Sequence, residues 1–154
     1  MRHSIWKIKN LILSILGRKT IGVRGIVIHD SKVLLVKHSY MPQWYHVGGG
    51  VEPGETPIKA MQRELMEEVG IKCLKSPKLF NVYRSGLENR DDYIVFYIIE
   101  HVEQVYQKCS EISASQWFSF SNLPLDISPA TKRRIDEYLA MRDRSVLEVS
   151  DEKW

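Results

Sequence analysis

"GGGVEPGETPIKAMQRELMEEVGI", residues 48–71, decides the reading of this 154-residue chain. Three glycines and an acidic loop lead into a run where Arg63, Glu64, Glu67 and Glu68 crowd together. Thr56-Pro57 is a strong helix start, with Thr as N-cap and Pro at the first helical position. Gly70 is a natural stop, so the spacing predicts a helix over about residues 57–69. At about 100° per residue, Ile58, Met61, Leu65 and Val69 share one buried stripe. Glu64, Glu67 and Glu68 stand beside that stripe at i, i+3 and i+4, and Arg63 borders Glu67 on the far side. Like charges this close destabilise a helix. A solvated charged face is the usual meaning of such a cluster, but it explains the glycines poorly. A hard divalent cation, Mg²⁺ or Mn²⁺, accounts for both features. It offsets the carboxylate repulsion and favours phosphate oxygens as further partners. Glycine lets the backbone approach such a ligand closely.

Working outward, "TIGVRGIVIHDSKVLLVKHS" reads as two strands around a turn at Asp30-Ser31. "QWYHVGG" is a candidate short strand running into the glycine loop. After the helix come strand candidates "KLFNVYRSG" and "DDYIVFYIIEHV", joined by the polar loop "LENRD", and then "ASQWFSF". Ser128-Pro129 repeats the cap-plus-proline start before a final helix, "ATKRRIDEYLAMR". Strands, helix, strands, helix argue for an α/β protein with a mixed sheet and helices on its faces.

The 48–71 stretch resembles the Nudix hydrolase (MutT-like) signature: Gly, five residues, Glu, seven residues, Arg-Glu-aliphatic-any-Glu-Glu-any-Gly-aliphatic. Gly49, Glu55, Arg63, Glu64, Leu65, Glu67, Glu68, Gly70 and Ile71 fill all nine specified positions. Weaker likeness extends over about residues 20–140. The resemblance implies an α/β/α sandwich around a mixed sheet. It also implies Mg²⁺- or Mn²⁺-dependent hydrolysis of nucleoside diphosphates linked to another group, X. Carried over by residue, it makes Glu64 and Glu68 metal ligands, and Glu67 a further ligand or the residue handling the attacking water. Gly48 matches a position whose carbonyl binds metal. Arg63 and Glu55 orient the carboxylates. In some members the general base lies on a later loop, where Glu111 stands here.

Further substrate-binding candidates are Arg24, which could reach a phosphate, Tyr40 and Trp44, which could stack on a base, and His46. Each has a plainer reading as packing or exposed charge. His46-Val47 replace the Leu-Pro common before the family's glycines. Subfamily markers for ADP-ribose and dinucleoside polyphosphate hydrolases are missing from their usual offsets, where Gly86-Leu87 stand and where Tyr83 and Tyr93 fall short of and beyond the mark. The substrate stays open on sequence.

Net charge is +3, yet residues 1–29 carry six Lys/Arg and no acid. The remaining 16 Lys/Arg face 19 Asp/Glu, so the main body is no basic nucleic-acid surface and no stable nucleic-acid partner is expected. Cys73 and Cys109 show no metal or redox spacing and read as reduced thiols of a cytoplasmic protein. No run approaches the ~20 apolar residues that span a bilayer. Residues 1–19 place Ile5, Ile8, Ile12, Ile15 and Leu16 on one stripe, with Lys7, Asn10, Ser14 and Arg18 opposite. That reads as an amphipathic helix packed on the domain or in a homodimer; the sharper alternative is a membrane-surface helix. The expected organisation is this helix over 1–19, a hydrolase domain over 20–142 and a polar tail over 143–154. The functional alternative is a non-catalytic nucleotide-binding or regulatory module of the same fold.

Overall fold

A computed structural model describes residues 20–85, 92–105 and 111–147. The readings made for residues 1–19, the loop 87–91 and Cys109 fall outside the described residues.

Strands β1 (Thr20–His29) and β2 (Lys32–His38) form the expected hairpin. Asp30 and Ser31 take positive φ, 47° and 59°, the geometry of a turn that matches strand twist. Only Ile28–Val33 and His29–Lys32 pair directly. Farther from the turn the two strands part, and residues 45–51 fill the gap. Tyr45 bridges Val36, Val47 bridges Gly25 and Gly50 bridges Gly22. The Val23 amide donates to the Gly49 carbonyl at 2.9 Å, and the Val51 amide to the Ile21 carbonyl at 2.9 Å. "QWYHVGG" is therefore a set of bridges wedged into a splayed hairpin rather than a strand of its own. The wedge pins the glycine loop to β1.

Helix α1 (Pro57–Val69) follows. The Thr56 hydroxyl accepts from the Lys59 amide at 3.4 Å, and Gly70 ends the helix in the left-handed region, φ 63°. A left-handed end is where glycine carries no Cβ penalty. Strands β3 (Ile71–Cys73) and β6 (Val102–Gln104) pair in a small antiparallel sheet. Three-residue strands carry too little periodicity to announce themselves. The stretch "DDYIVFYIIEHV" is thus two strands, β5 (Asp92–Ile99) and β6, parted at Glu100-His101. With β4 (Lys78–Ser85) and β7 (Ile112–Ser119), the main sheet has order β4-β5-β1-β2-β7. Strands β1 and β5 run parallel and the other neighbours antiparallel. Helix α2 (Pro129–Leu147) starts where expected but continues past Asp143.

Alternation along β1 sends Val23 and Val27 to one face and Ile26 to the other. The first face packs with Ala60, Met61, Leu65 and Val69 of α1, and the second with Ile135 and Tyr138 of α2. The result is the expected α/β/α sandwich. Each fully buried aliphatic side chain contributes about 1.5–3 kcal/mol, so the two layers fix α1 firmly against the splayed hairpin.

Candidate active site

The buried stripe of α1 fixes which of its acids turn inward. Glu64 and Glu68 lie next to Leu65 and are nearly covered, with side chains 13% and 11% exposed, whereas Glu67 is 56% exposed. Burial disfavours a charged carboxylate. It raises the pKa of Glu64 and pushes that of Glu68 up to about 7. The Gly48 amide and the Arg24 charge partly oppose the shift at Glu68.

Arg63 holds the cluster together. Nε donates to Glu55 Oε1 (3.0 Å), and Nη2 donates to Glu55 Oε2 (3.1 Å) and to the Gly50 carbonyl (3.0 Å). Nη1 donates to Glu64 Oε1 (2.8 Å) and Glu67 Oε2 (3.1 Å). A guanidinium has five N–H donors in a fixed fork, and all five are used. The Arg63 pKa rises, chiefly through Glu55, and that of Glu55 falls, chiefly through Arg63. One side chain thereby ties the acidic loop, the glycine turn and two helix acids into a single unit.

Gly48 is a steric necessity, and at Gly49 a side chain would displace the Glu64 carboxylate from Arg63. A Cβ on Gly49 would lie 2.6 Å from Glu64 Cδ, and one on Gly48, whose φ is 138°, would lie 2.9 Å from the Val23 carbonyl carbon. Glu68 reaches the same turn, its Oε2 accepting from the Gly48 amide at 3.0 Å.

Among the described residues, no three His, Cys, Asp or Glu side chains are gathered at metal-holding spacing. Glu64 and Glu67 are drawn toward Arg63, and Glu68 toward Gly48. The chemistry of the donors nonetheless fits a hard divalent ion: carboxylate oxygens, those of Glu64 and Glu68 largely covered, beside a turn where Gly48 leaves room only for backbone.

The other candidates separate into two groups. Arg24, Tyr40 and Glu111 gather at the acids. The charges of Glu68 and Glu64 act on Arg24, whose pKa burial lowers, and its Nη1 donates to the Val23 carbonyl at 2.8 Å. The pKa of Tyr40 is raised by burial and then by Glu111 and Glu68. The Glu111 carbonyl accepts from the Ser39 amide at 2.9 Å, which brings the β7 approach to the end of β2. Trp44 and His46 are instead packed in the layer beneath α2. Trp44 meets Phe118 edge-on at 4.9 Å with Lys37 Nζ 5.0 Å above its ring. His46 is 2% exposed and lies edge-on to Phe96 at 5.4 Å. Sequence offered these two as substrate contacts; their rings are committed to the core.

His38 belongs at the site and carried no sequence signal. Its Nδ1 lies 3.9 Å from Glu68 Oε1, its ring 5.4 Å from that of Tyr40. Burial and Arg24 lower its pKa. A lone histidine late in a strand looks ordinary until the fold sets it against Glu68.

Comparison with known proteins places this geometry. A family model, the NUDIX domain, matches residues 19–139. A proposed 8-oxo-dGTP diphosphatase of Bacillus subtilis is 33% identical over 120 residues, 77% of this chain and 79% of that relative. An ADP-ribose pyrophosphatase of Methanocaldococcus jannaschii is 29% identical over 109 residues, 68% of this chain and 64% of its own length. In three dimensions, a MutT NUDIX hydrolase from Burkholderia pseudomallei superposes with a TM-score of 0.68 at 22% identity, over 77% of this chain and 97% of that one.

Proposed function

This chain belongs to the NUDIX family, and from that premise we propose that it cleaves the pyrophosphate bond of a nucleoside diphosphate linked to another group, NDP-X. The products are a nucleoside monophosphate and phospho-X. One observation carries the reading: two largely covered carboxylates, Glu64 and Glu68, lie against a turn where a Cβ on Gly48 would strike the Val23 backbone and one on Gly49 the Glu64 carboxylate. Carboxylates partly stripped of water carry a desolvation cost in their charged form, which a bound cation offsets.

Glu64, Glu67, Glu68 and the Gly48 carbonyl are the groups that would hold Mg²⁺ or Mn²⁺. Such an ion, when bound, neutralises phosphate charge and lowers the pKa of a coordinated water. The chain's own residues supply the rest. Arg63 keeps Glu64 and Glu67 oriented and anchors Glu55 and the Gly50 carbonyl. Arg24, at the start of the splayed hairpin, supplies positive charge for a phosphate, and Tyr40 an exposed ring at the rim. Water's oxygen bonds to one phosphorus, the bridging P–O bond breaks, and its electron pair leaves on the other phosphate. The water's proton passes to a carboxylate. Glu67 and Glu111 are the two candidates, and substitution separates them: the variant lacking the base loses the acid limb of the pH–rate profile.

A nucleotide-binding module without turnover is the other reading, drawn from His46-Val47 where the family commonly has Leu-Pro. Backbone bridges to β1 and β2 hold that turn here without proline. The test is a Mg²⁺ and Mn²⁺ screen over NTPs, oxidised dNTPs, nucleotide sugars, ADP-ribose, dinucleoside polyphosphates, NADH and coenzyme A. Release of a nucleoside monophosphate that Glu68→Gln abolishes supports hydrolysis. Tight binding without release supports the module.

A further inference from the structure

The two faces of the main sheet are covered unequally. On the α2 side, Phe80 and Tyr83 of β4 and Ile94 of β5 are packed into the core. On the opposite side, α1 lies over β1, β3 and β7. There the outer strands stay bare: Leu79 and Val82 of β4 are 63% and 48% exposed, and Ile21 of β1 is 46% exposed. Strand register puts these on one face. Ile21 pairs with Tyr93, Val23 and Val82 both pair with Val95, and Leu79 pairs with Tyr97. Val95 and Tyr97 reach the α1 core from this same side. The bare patch is thus continuous with the core beside α1 and ends at β4, the edge strand of the sheet among the described residues.

We propose that residues 5–16 of this chain dock as an amphipathic helix on the open face of β4 and β5, completing the layer that α1 begins. Three facts select this occupant over a second copy or a membrane. Residues 1–19 join the sheet at Thr20, next to Ile21, so the link starts at the patch. Gly17, Arg18 and Lys19 reach up to about 10 Å, the usual separation between packed layers. A helix over 5–16 is about 18 Å long, enough to cover the roughly 13 Å of strand from Tyr93 to Tyr97. Its stripe of Ile5, Ile8, Ile12, Ile15 and Leu16 meets Ile21, Leu79 and Val82, and Lys7 and Arg18 face water.

The experiment is amide hydrogen exchange on the full chain. A lone helix this short is marginal in water, so protection over 5–16 reports docking. The docked chain shows at least about tenfold slowed exchange there, independent of protein concentration and without lipid. Val82→Asp and Leu79→Asp each erase that protection while leaving α1 protected, which shows that the domain still folds. Leu125→Asp, at an exposed apolar site elsewhere, leaves it intact. Coil-rate exchange over 5–16 in the unaltered chain overturns the proposal, as does protection indifferent to both β4 variants. Protection that appears only as concentration rises assigns the face to a second copy. Protection only with phosphatidylglycerol vesicles assigns the helix to a membrane. Either result also overturns docking within the chain.

Discussion

On α1, Glu64 and Glu68 are largely covered acids, each with a partner: Arg63 for the first and the Gly48 amide for the second. Beneath α2, His46 is buried as well, yet neither ring nitrogen makes a hydrogen bond among the described residues. Burial pulls its pKa down to about 3; the nearby Thr131 backbone, outside good hydrogen-bond geometry, opposes the fall, and Arg24 and Arg134 add to it. On one face burial raises the pKa of the acids while Arg63 and the Gly48 amide favour their charged forms; on the other burial drives a titratable group neutral among aromatic rings. The same desolvation acts on both. The difference lies in what surrounds the group: cross-bonded carboxylates and bare backbone on one side, aromatic rings on the other.

The largest effect expected from breaking this contrast is on the α1 side. Glu68→Gln keeps the shape and removes the charge, and should lower turnover on the best substrate by about 10³-fold or more, measured as monophosphate release. Arg63→Lys keeps the charge but loses the fork, since a lysine cannot reach Glu55, Glu64, Glu67 and Gly50 at once. About 10–100-fold loss is expected, with α1 helicity unchanged by circular dichroism. Gly49→Ala pushes a Cβ into the Glu64 carboxylate, and crowding of this kind costs about 1–3 kcal/mol. Its signature is a lowered melting temperature together with weaker Mg²⁺ protection. Loss of activity at unchanged melting temperature would contradict the steric account.

The smallest effect lies on the α2 side and shows only in acid. His46 titrates near 3 when folded and near 6.5 when unfolded. Its neutral burial therefore supports the fold above about pH 6.5, and that support fades as pH falls toward 3. His46→Leu should flatten the decline in denaturation midpoint between pH 6.5 and 4 and leave catalysis at neutral pH nearly unchanged. A large activity loss at pH 7.5 would move His46 back to the substrate.

Local signals read well. The Thr56-Pro57 start, the Gly70 stop, the Asp30-Ser31 turn and the places along the chain of the five main-sheet strands were all legible, because each depends on neighbours in sequence; their order within the sheet was not. The acid cluster was legible for the same reason: i, i+3 and i+4 on one helix are adjacent by geometry alone. What escaped depends on long-range pairing. Nothing local says that residues 45–51 wedge between β1 and β2, that His46 and Trp44 are buried, or that His38 comes to lie against Glu68. The pairing of β3 with β6 escaped too, each strand being three residues long.

The most direct measurement is the titration of the Glu68 carboxyl, followed by ¹³C NMR with selectively labelled glutamate and assigned by Glu68→Gln, with and without Mg²⁺. The account predicts a midpoint near 7 without the ion and a midpoint well below the ordinary glutamate value of about 4.3 with it. A midpoint that Mg²⁺ leaves unmoved, alongside monophosphate release that persists in EDTA, would contradict it.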